Sequence, residues 1–267
     1  MAAMDALFCN GRPAGVPDLA AALVNYGHFT SLQVRAGAVQ GLDLHLSRLR
    51  QGSLELFGSP LDLAQVRNWM AEALRATGRD DASLRVTVFS PQFDFRNPLR
   101  AMALDVLVAV GAPVAIEPRP RRVRTACFRR DTPQIKHVGT FPLFQQRRAA
   151  MRDGFDDVLF VDAEGRISEG STWNIVFHDG SQLVWPQAPA LRGTAEALLR
   201  DGWEGPQQEY PVMLDGLGRF GAAIACNASG LWPLASIDGQ ALAGSQALYE
   251  QARQVLDPVP WEPLAPA

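Results

Sequence analysis

Residues 111–120, GAPVAIEPRP, place three prolines within ten positions. Proline locks φ and removes a backbone donor, so neither a regular helix nor a central strand passes through this stretch. The 267-residue chain is therefore expected to fold in two parts: a small N-terminal α/β domain over 1–112, a linker over 113–120 and a larger domain over 121–267. In the first part, a strand and turn are expected over 6–13 and a hairpin over 29–40, turning at Ala36-Gly37. Leu42, Leu46, Leu49, Ser53 and Leu56 recur at helical spacing over 42–57, which ends at Gly58. Leu63, Val66, Met70 and Leu74 mark a second helix over 61–77, which ends at Gly78. Strands follow near 83–90 and 102–110.

Beyond the prolines the reading gives a strand near 121–128, a helix over 140–153 and strands near 157–162, 172–178 and 182–185. A helix begins near Thr194, and two strands close the pattern near 222–227 and 231–237. This is not the regular strand–helix alternation of a doubly wound sheet. No apolar run approaches the roughly 20 residues of a spanning helix, and the N-terminus has no secretory pattern. A formal net charge of -3 gives no general pull toward nucleic acid or anionic lipid. Cys9, Cys127 and Cys226 are far apart, which suggests neither a metal site nor a disulfide framework and fits a reducing cytoplasm.

Of the 25 basic residues, Lys136 alone is lysine. Mutational bias toward arginine codons accounts for such an excess, replacing lysine wherever arginine is tolerated. Arginine cannot lose its proton to become a nucleophilic amine, whereas lysine can. A lysine that survives the bias is a candidate for covalent chemistry.

The segment from Lys136 onward reads IKHVGTFPLFQQRRAAMRDGFDDVLFVDAEGRISEGSTWNIVFHDGSQLVWP and then LRGTAEALL. A lysine precedes a helix, then come a strand and turn, then Glu169-x-Ser171-x-x-Asn174, then a glycine-containing loop. Together with the upstream Asp43-Leu-His-Leu-Ser-Arg-Leu49, this resembles the class IV aminotransferases, the fold-type IV pyridoxal-5'-phosphate (PLP) enzymes. That family includes branched-chain and D-amino-acid aminotransferases and aminodeoxychorismate lyases. The resemblance implies an α/β (α+β) fold of two domains, the larger with a barrel-like sheet, and it implies a homodimer.

It also implies roles. Lys136 would attach the cofactor and shuttle a proton. Glu169 would stand beside the ring nitrogen, supported by Ser171, Thr172 and Asn174. Gly193 and Thr194, opening a helix, would offer N–H groups to the phosphate, which Arg48 would also meet. The family often has a hydroxyl residue where Ala195 stands. Cys226-Asn227-Ala228-Ser229 resembles a further phosphate-side turn, with Ala228 or Ser229 as the contact.

Tyr26, Phe29 and Thr30 would contribute to the substrate pocket. Thr30 and Cys226-Asn227-Ala228 look lyase-like, whereas the residues after Glu169 are closer to transaminases. Amino transfer between an amino acid and a 2-keto acid ranks first. Release of pyruvate and p-aminobenzoate from 4-amino-4-deoxychorismate is the alternative. A remote reading takes the six arginines of 119–130, RPRRVRTACFRR, as a non-catalytic binding strand.

Overall fold

The structure, a computed structural model, describes residues 4–265. It divides the chain into two compact units. The first comprises the chain up to Val114, then Ile135–Gly139, then the C-terminal stretch from Pro260. The second comprises Ala115–Gln134 and Thr140–Val259. The division at Val114 falls inside the proline-rich stretch. Residues 135–139 and those from 260 onward, expected in the second domain, belong to the first unit because their backbone hydrogen bonds are made there.

In the first unit, β1 (Met4–Cys9) and β2 (Arg12–Pro13) precede the short helix α1 (Val16–Ala22), which the sequence reading missed. Then come β3 (Gly27–Val34), β4 (Ala38–Gln40), α2 (Leu42–Phe57), α3 (Leu63–Ala76), β5 (Ala82–Phe89) and β6 (Asp105–Gly111). The turn at Ala36-Gly37 has positive φ at both residues, 47° and 72°. That is the geometry of a two-residue hairpin turn. Five strands form an antiparallel sheet in the order β2-β1-β6-β5-β3. Its strands alternate cleanly: Leu32, Val34, Leu84, Val86, Val88, Val106, Val108 and Val110 pack on Leu42, Leu46, Leu49, Val66 and Met70 of the two helices. One face of the sheet is thus the core side, and the other carries Phe29, Ser31, Gln33, Ser83, Arg85 and Thr87.

The second unit holds β7 (Arg121–Cys127), α4 (Phe141–Arg152), β8 (Asp157–Val161), β9 (Ile167–Gly170), β10 (Asn174–His178), β11 (Leu183–Pro186), α5 (Thr194–Gly202) and β12 (Gln207–Tyr210). It continues with β13 (Ala222–Asn227), β14 (Gly230–Ile237), β15 (Gln240–Ala241) and α6 (Ser245–Leu256). All nine strands join one mixed sheet, ordered β12-β11-β10-β13-β14-β7-β8-β9 with β15 beside β14. Both faces are buried. Ile175, Phe177, Trp232 and Leu234 fill one side. Val176, Ile224 and Cys226 meet Leu199 of α5 and Leu248 and Ala252 of α6 on the other. No helix among the described residues is long and apolar enough to cross a membrane.

The C-terminal strand β16 (Trp261–Pro263) pairs with β4. Arg67 clamps the end of this strand, Nε donating to the Leu264 carbonyl at 2.9 Å and Nη2 to the Pro263 carbonyl at 2.6 Å. Leu264 is 1% exposed and part of the first unit's core. Truncating a buried leucine removes transfer energy and leaves a cavity. Leu264→Ala is expected to lower the unfolding free energy by about 2–5 kcal/mol in a urea titration. A loss within the few tenths typical of a surface change would show the tail to be dispensable.

Candidate functional site

Lys136 owes its place to the free edge of β3. Phe29 N donates to the Lys136 carbonyl at 2.9 Å, and Val138 N donates to the Gly27 carbonyl at 3.0 Å. These two bonds bracket an antiparallel bridge between His28 and His137. Residues opposite one another in such a pair share a face. Lys136 therefore projects on the side of Phe29, away from α2 and α3, with Nζ 5.1 Å from the centre of the Phe29 ring.

Arg85 on β5 lies over the same ring, its guanidinium carbon 3.5 Å from the centre. Its Nε is 3.4 Å from Thr87 Oγ1, and among the described residues no carboxylate is paired with it. Burial lowers its proton affinity. A half-buried guanidinium on an aromatic ring that the chain's one lysine also approaches is an arrangement suited to a carboxylate ligand. The sequence reading missed Arg85, because its partner Phe29 is 56 positions away and one arginine among 24 carries no local mark.

Thr30 lies on the other side of β3. It is fully buried, and its Oγ1 is 2.7 Å from His45 Nδ1 on α2. His45 is pushed down to about 3, first by burial and then by the charges of Arg48 and Lys136. Arg48 follows His45 by one helical turn and is half-buried. His28 is held in the same layer, Nε2 3.0 Å from Ser53 Oγ, and burial pushes it down to about 4. Gly52 leaves room for its ring, since a Cβ there would lie 2.7 Å from Nδ1. Tyr26 stacks on Phe93 at 4.1 Å, and its hydroxyl donates to the Leu56 carbonyl at 3.1 Å.

In the second unit, Glu169 stands near the end of β9, a strand the sequence reading did not assign. It is 3% exposed, and Arg130, 6% exposed, reaches it through Nε at 2.8 Å and Nη2 at 3.5 Å. Leu191 N also donates to Glu169 Oε1, at 3.1 Å. Asn174 Nδ2 donates to the Leu191 carbonyl at 2.8 Å, and a Cβ on Gly193 would lie 2.2 Å from Asn174 Oδ1. Only glycine allows the loop to sit this close. Gly193 then caps α5, where Thr194 is buried and Glu196 accepts from Gly193 N at 3.4 Å while pairing with Arg192.

Ser171 turns inward, its hydroxyl donating to Asp157 at 2.7 Å, and Arg147 neutralises that carboxylate at 3.3 Å. The Thr172 carbonyl accepts from Asn227 Nδ2 at 3.3 Å, and Asn227 Oδ1 accepts from Ser229 N at 2.8 Å. This closes the half-buried turn that includes Ala228. Gly170 is required by Trp173, another residue missed in the sequence: a Cβ would lie 1.9 Å from its ring.

Each unit by itself carries groups of the kind PLP needs: the first a lysine amine and a half-buried arginine on α2, the second a buried carboxylate and a helix N-terminus whose glycine only a missing Cβ permits. The chain belongs to the class IV amino-transferases, whose family pattern matches residues 27–237. It is therefore a PLP-dependent enzyme. Among solved structures it is similar to the branched-chain aminotransferase from the archaeon Thermoproteus uzoniensis with norvaline, at 21% identity and a TM-score of 0.82, covering 97% of this chain and 99% of that one. It is similar to the PLP form of the branched-chain aminotransferase from Thermobaculum terrenum, at 17% identity and 0.83, over 100% of both chains. A Legionella pneumophila protein provisionally assigned as 4-amino-4-deoxychorismate lyase matches at 17% identity and 0.80, covering 92% of this chain and 95% of that one. These likenesses establish the fold, which is fold-type IV. Among curated proteins none matches.

The two buried histidines give a pH signature. Unfolded, each takes up a proton near its ordinary value of 6.5; folded, they resist until about 4 and about 3. The unfolded state therefore binds more protons as pH falls below 6.5. Stability is fully present above that value and is lost downward through the window. The slope should approach about 1.4 kcal/mol per pH unit for each histidine. Urea unfolding at steps between pH 7 and 5 measures it, and His28→Asn should remove about half of the slope there. A slope unchanged by that variant would exclude His28 as a contributor.

Proposed function

We propose that this chain is an aminotransferase that moves an amino group between an amino acid and a 2-keto acid. The observation that carries the reading is the Phe29 ring, which the chain's only side-chain amine and a guanidinium with no carboxylate paired among the described residues both approach. PLP, when bound, supplies an electron sink for charge that develops at the substrate carbon. Lys136 attaches the cofactor through Nζ and, once displaced, carries the proton to and from that carbon. Glu169 accepts from the ring nitrogen. Arg48 and the N-terminal turn of α5, Gly193 and Thr194, would hold the phosphate, with Ala228 or Ser229 at a further turn. Arg85 holds the substrate carboxylate, and Phe29 walls the pocket. Asn174 positions the loop before α5, while Ser171 and Thr172, through Asp157 and Asn227, support the end of β9 that carries Glu169.

The lyase alternative takes Thr30 as a lyase-like residue of the substrate pocket. The burial of its hydroxyl against His45, on the face opposite Lys136, favours amino transfer. The basic segment gives little support to a binding strand: Arg119 pairs with Asp156, Arg124 with Asp153 and Arg130 with Glu169, while Arg121 lies over Trp232. A homodimer remains part of the proposal, and exposed Phe95 and Leu99 between β5 and β6 offer apolar surface for a second copy to cover. Three free thiols, two of them buried, support a cytoplasmic setting.

The test is to supply the cofactor-loaded protein with a panel of L- and D-amino acids, and separately with 4-amino-4-deoxychorismate. Amino transfer is expected to exchange the cofactor's long-wavelength absorption for that of its aminated form, reversed by a keto acid. Pyruvate release from aminodeoxychorismate with a silent panel would make the lyase correct instead. Lys136→Ala should abolish the borohydride-reducible adduct. Arg85→Met should raise KM for the active amino acid by roughly tenfold or more, as expected for a lost charge-assisted contact. Sedimentation of a fully active monomer would remove the dimer from the proposal.

A further inference from the structure

We propose that Arg130 is a positioning residue that sets the charge and aim of Glu169, and through it keeps the proton on the ring nitrogen of the bound cofactor. The inference rests on the reading that Glu169 faces that nitrogen. Both side chains lie almost wholly out of water, at 6% and 3% exposure. The guanidinium meets the carboxylate through Nε at 2.8 Å and Nη2 at 3.5 Å, and the Leu191 N–H meets Oε1 at 3.1 Å. Two planar groups joined at two points share an orientation, and the third donor stops the carboxylate from rotating. The aim of Glu169 is thereby fixed by residues of its own unit.

The charge follows from the same contacts. A carboxylate buried alone takes up a proton readily, because desolvation penalises its charged form. A protonated Glu169 donates to a neutral ring nitrogen instead of accepting from a protonated one. Two sites then compete for one proton, and the local charges decide which holds it. With Arg130 beside it, protonating Glu169 leaves a buried guanidinium uncompensated. The proton stays on the nitrogen, the state in which the ring draws electrons from the substrate carbon. Arg130 touches no reacting atom and acts entirely through Glu169.

The experiment reads the nitrogen itself. Protein loaded with cofactor 15N-labelled at the ring nitrogen is followed by NMR from pH 6 to 9, without substrate. The wild type should hold the protonated signal across the range. Arg130→Gln should lose it to the neutral-pyridine signal, and Arg130→Lys, which keeps the charge without the planar fork, should lose it at a pH between the two. Loss in Arg130→Gln with partial rescue in Arg130→Lys supports the role. A protonated signal in Arg130→Gln that matches the wild type at every pH overturns it. Should Arg130→Gln not fold, Arg130→Lys decides alone: an earlier loss supports the role and an unchanged titration overturns it. Glu169→Gln separates the two readings. If it loses the protonated signal while the Arg130 variants keep theirs, Glu169 retains its assignment and Arg130 does not. If it too leaves the signal unchanged, Glu169 does not serve the nitrogen.

Discussion

The first unit depends on the register of three residues, 136–138, against the edge of β3. In an antiparallel pair the face a side chain takes is decided by parity alone, and a slip of one residue reverses it. In the observed register Lys136 stands opposite Phe29 and clear of the helices, while His137 stands opposite His28 on the core side. A slip would carry the only lysine into the layer of His28, Thr30 and His45. The same segment also covers a strand edge that would otherwise present unpaired N–H and C=O groups. The backbone bonds that protect the sheet are thus the ones that aim the amine.

In the second unit the governing rule is that buried charge occurs in pairs and buried peptides are satisfied on both sides. Leu191 shows how this couples distant parts of the chain. Its N–H is given to Glu169 on β9 and its C=O receives Asn174 on β10. The loop ahead of α5 is therefore pinned by β10 and by β9, the strand that carries the carboxylate. Gly193 completes the arrangement by leaving Asn174 Oδ1 the room a Cβ would take. A shift of the α5 N-terminus would strain Glu169, so the first turn of the helix and the buried carboxylate are held as one piece.

Much of this was legible in the residues because it is local. Helices α2 and α3, with their glycine stops, follow from apolar spacing, and the hairpin turn follows from Ala36-Gly37. The family pattern picked out Glu169, Asn174 and Gly193 by order and spacing, and the amine by its being alone. What was not legible is non-local. Nothing near Arg130 in sequence reveals a carboxylate 39 positions on. The return of residues 135–139 and 261–263 to the first unit is likewise made by pairing with β3 and β4, not by composition. Helix α6, with Leu248, Tyr249, Ala252 and Leu256 buried, did carry helical spacing that the reading passed over. The face of Thr30 depended on strand parity relative to α2, which an aromatic-then-threonine motif does not encode.

Arginine abundance shows why a count of charges says so little about function until partners are assigned. Along 119–130, three of the six arginines pair with Asp153, Asp156 and Glu169, and two more meet a backbone carbonyl and an indole ring, so much of a segment that looks like a binding surface is engaged within the chain. Exposed pairs of this kind contribute little to stability and are screened by salt. Two arginines differ in kind. Arg130 is buried with its carboxylate, where the cost of desolvation makes the pair an all-or-none unit. Arg85 is half-buried against an aromatic ring with no carboxylate paired among the described residues. A desolvated cation in that position is stabilised most by an anion that arrives from outside the chain. The mismatch between burial and pairing at Arg85, like the buried pairing of Arg130, becomes visible only when the sheets bring distant residues together.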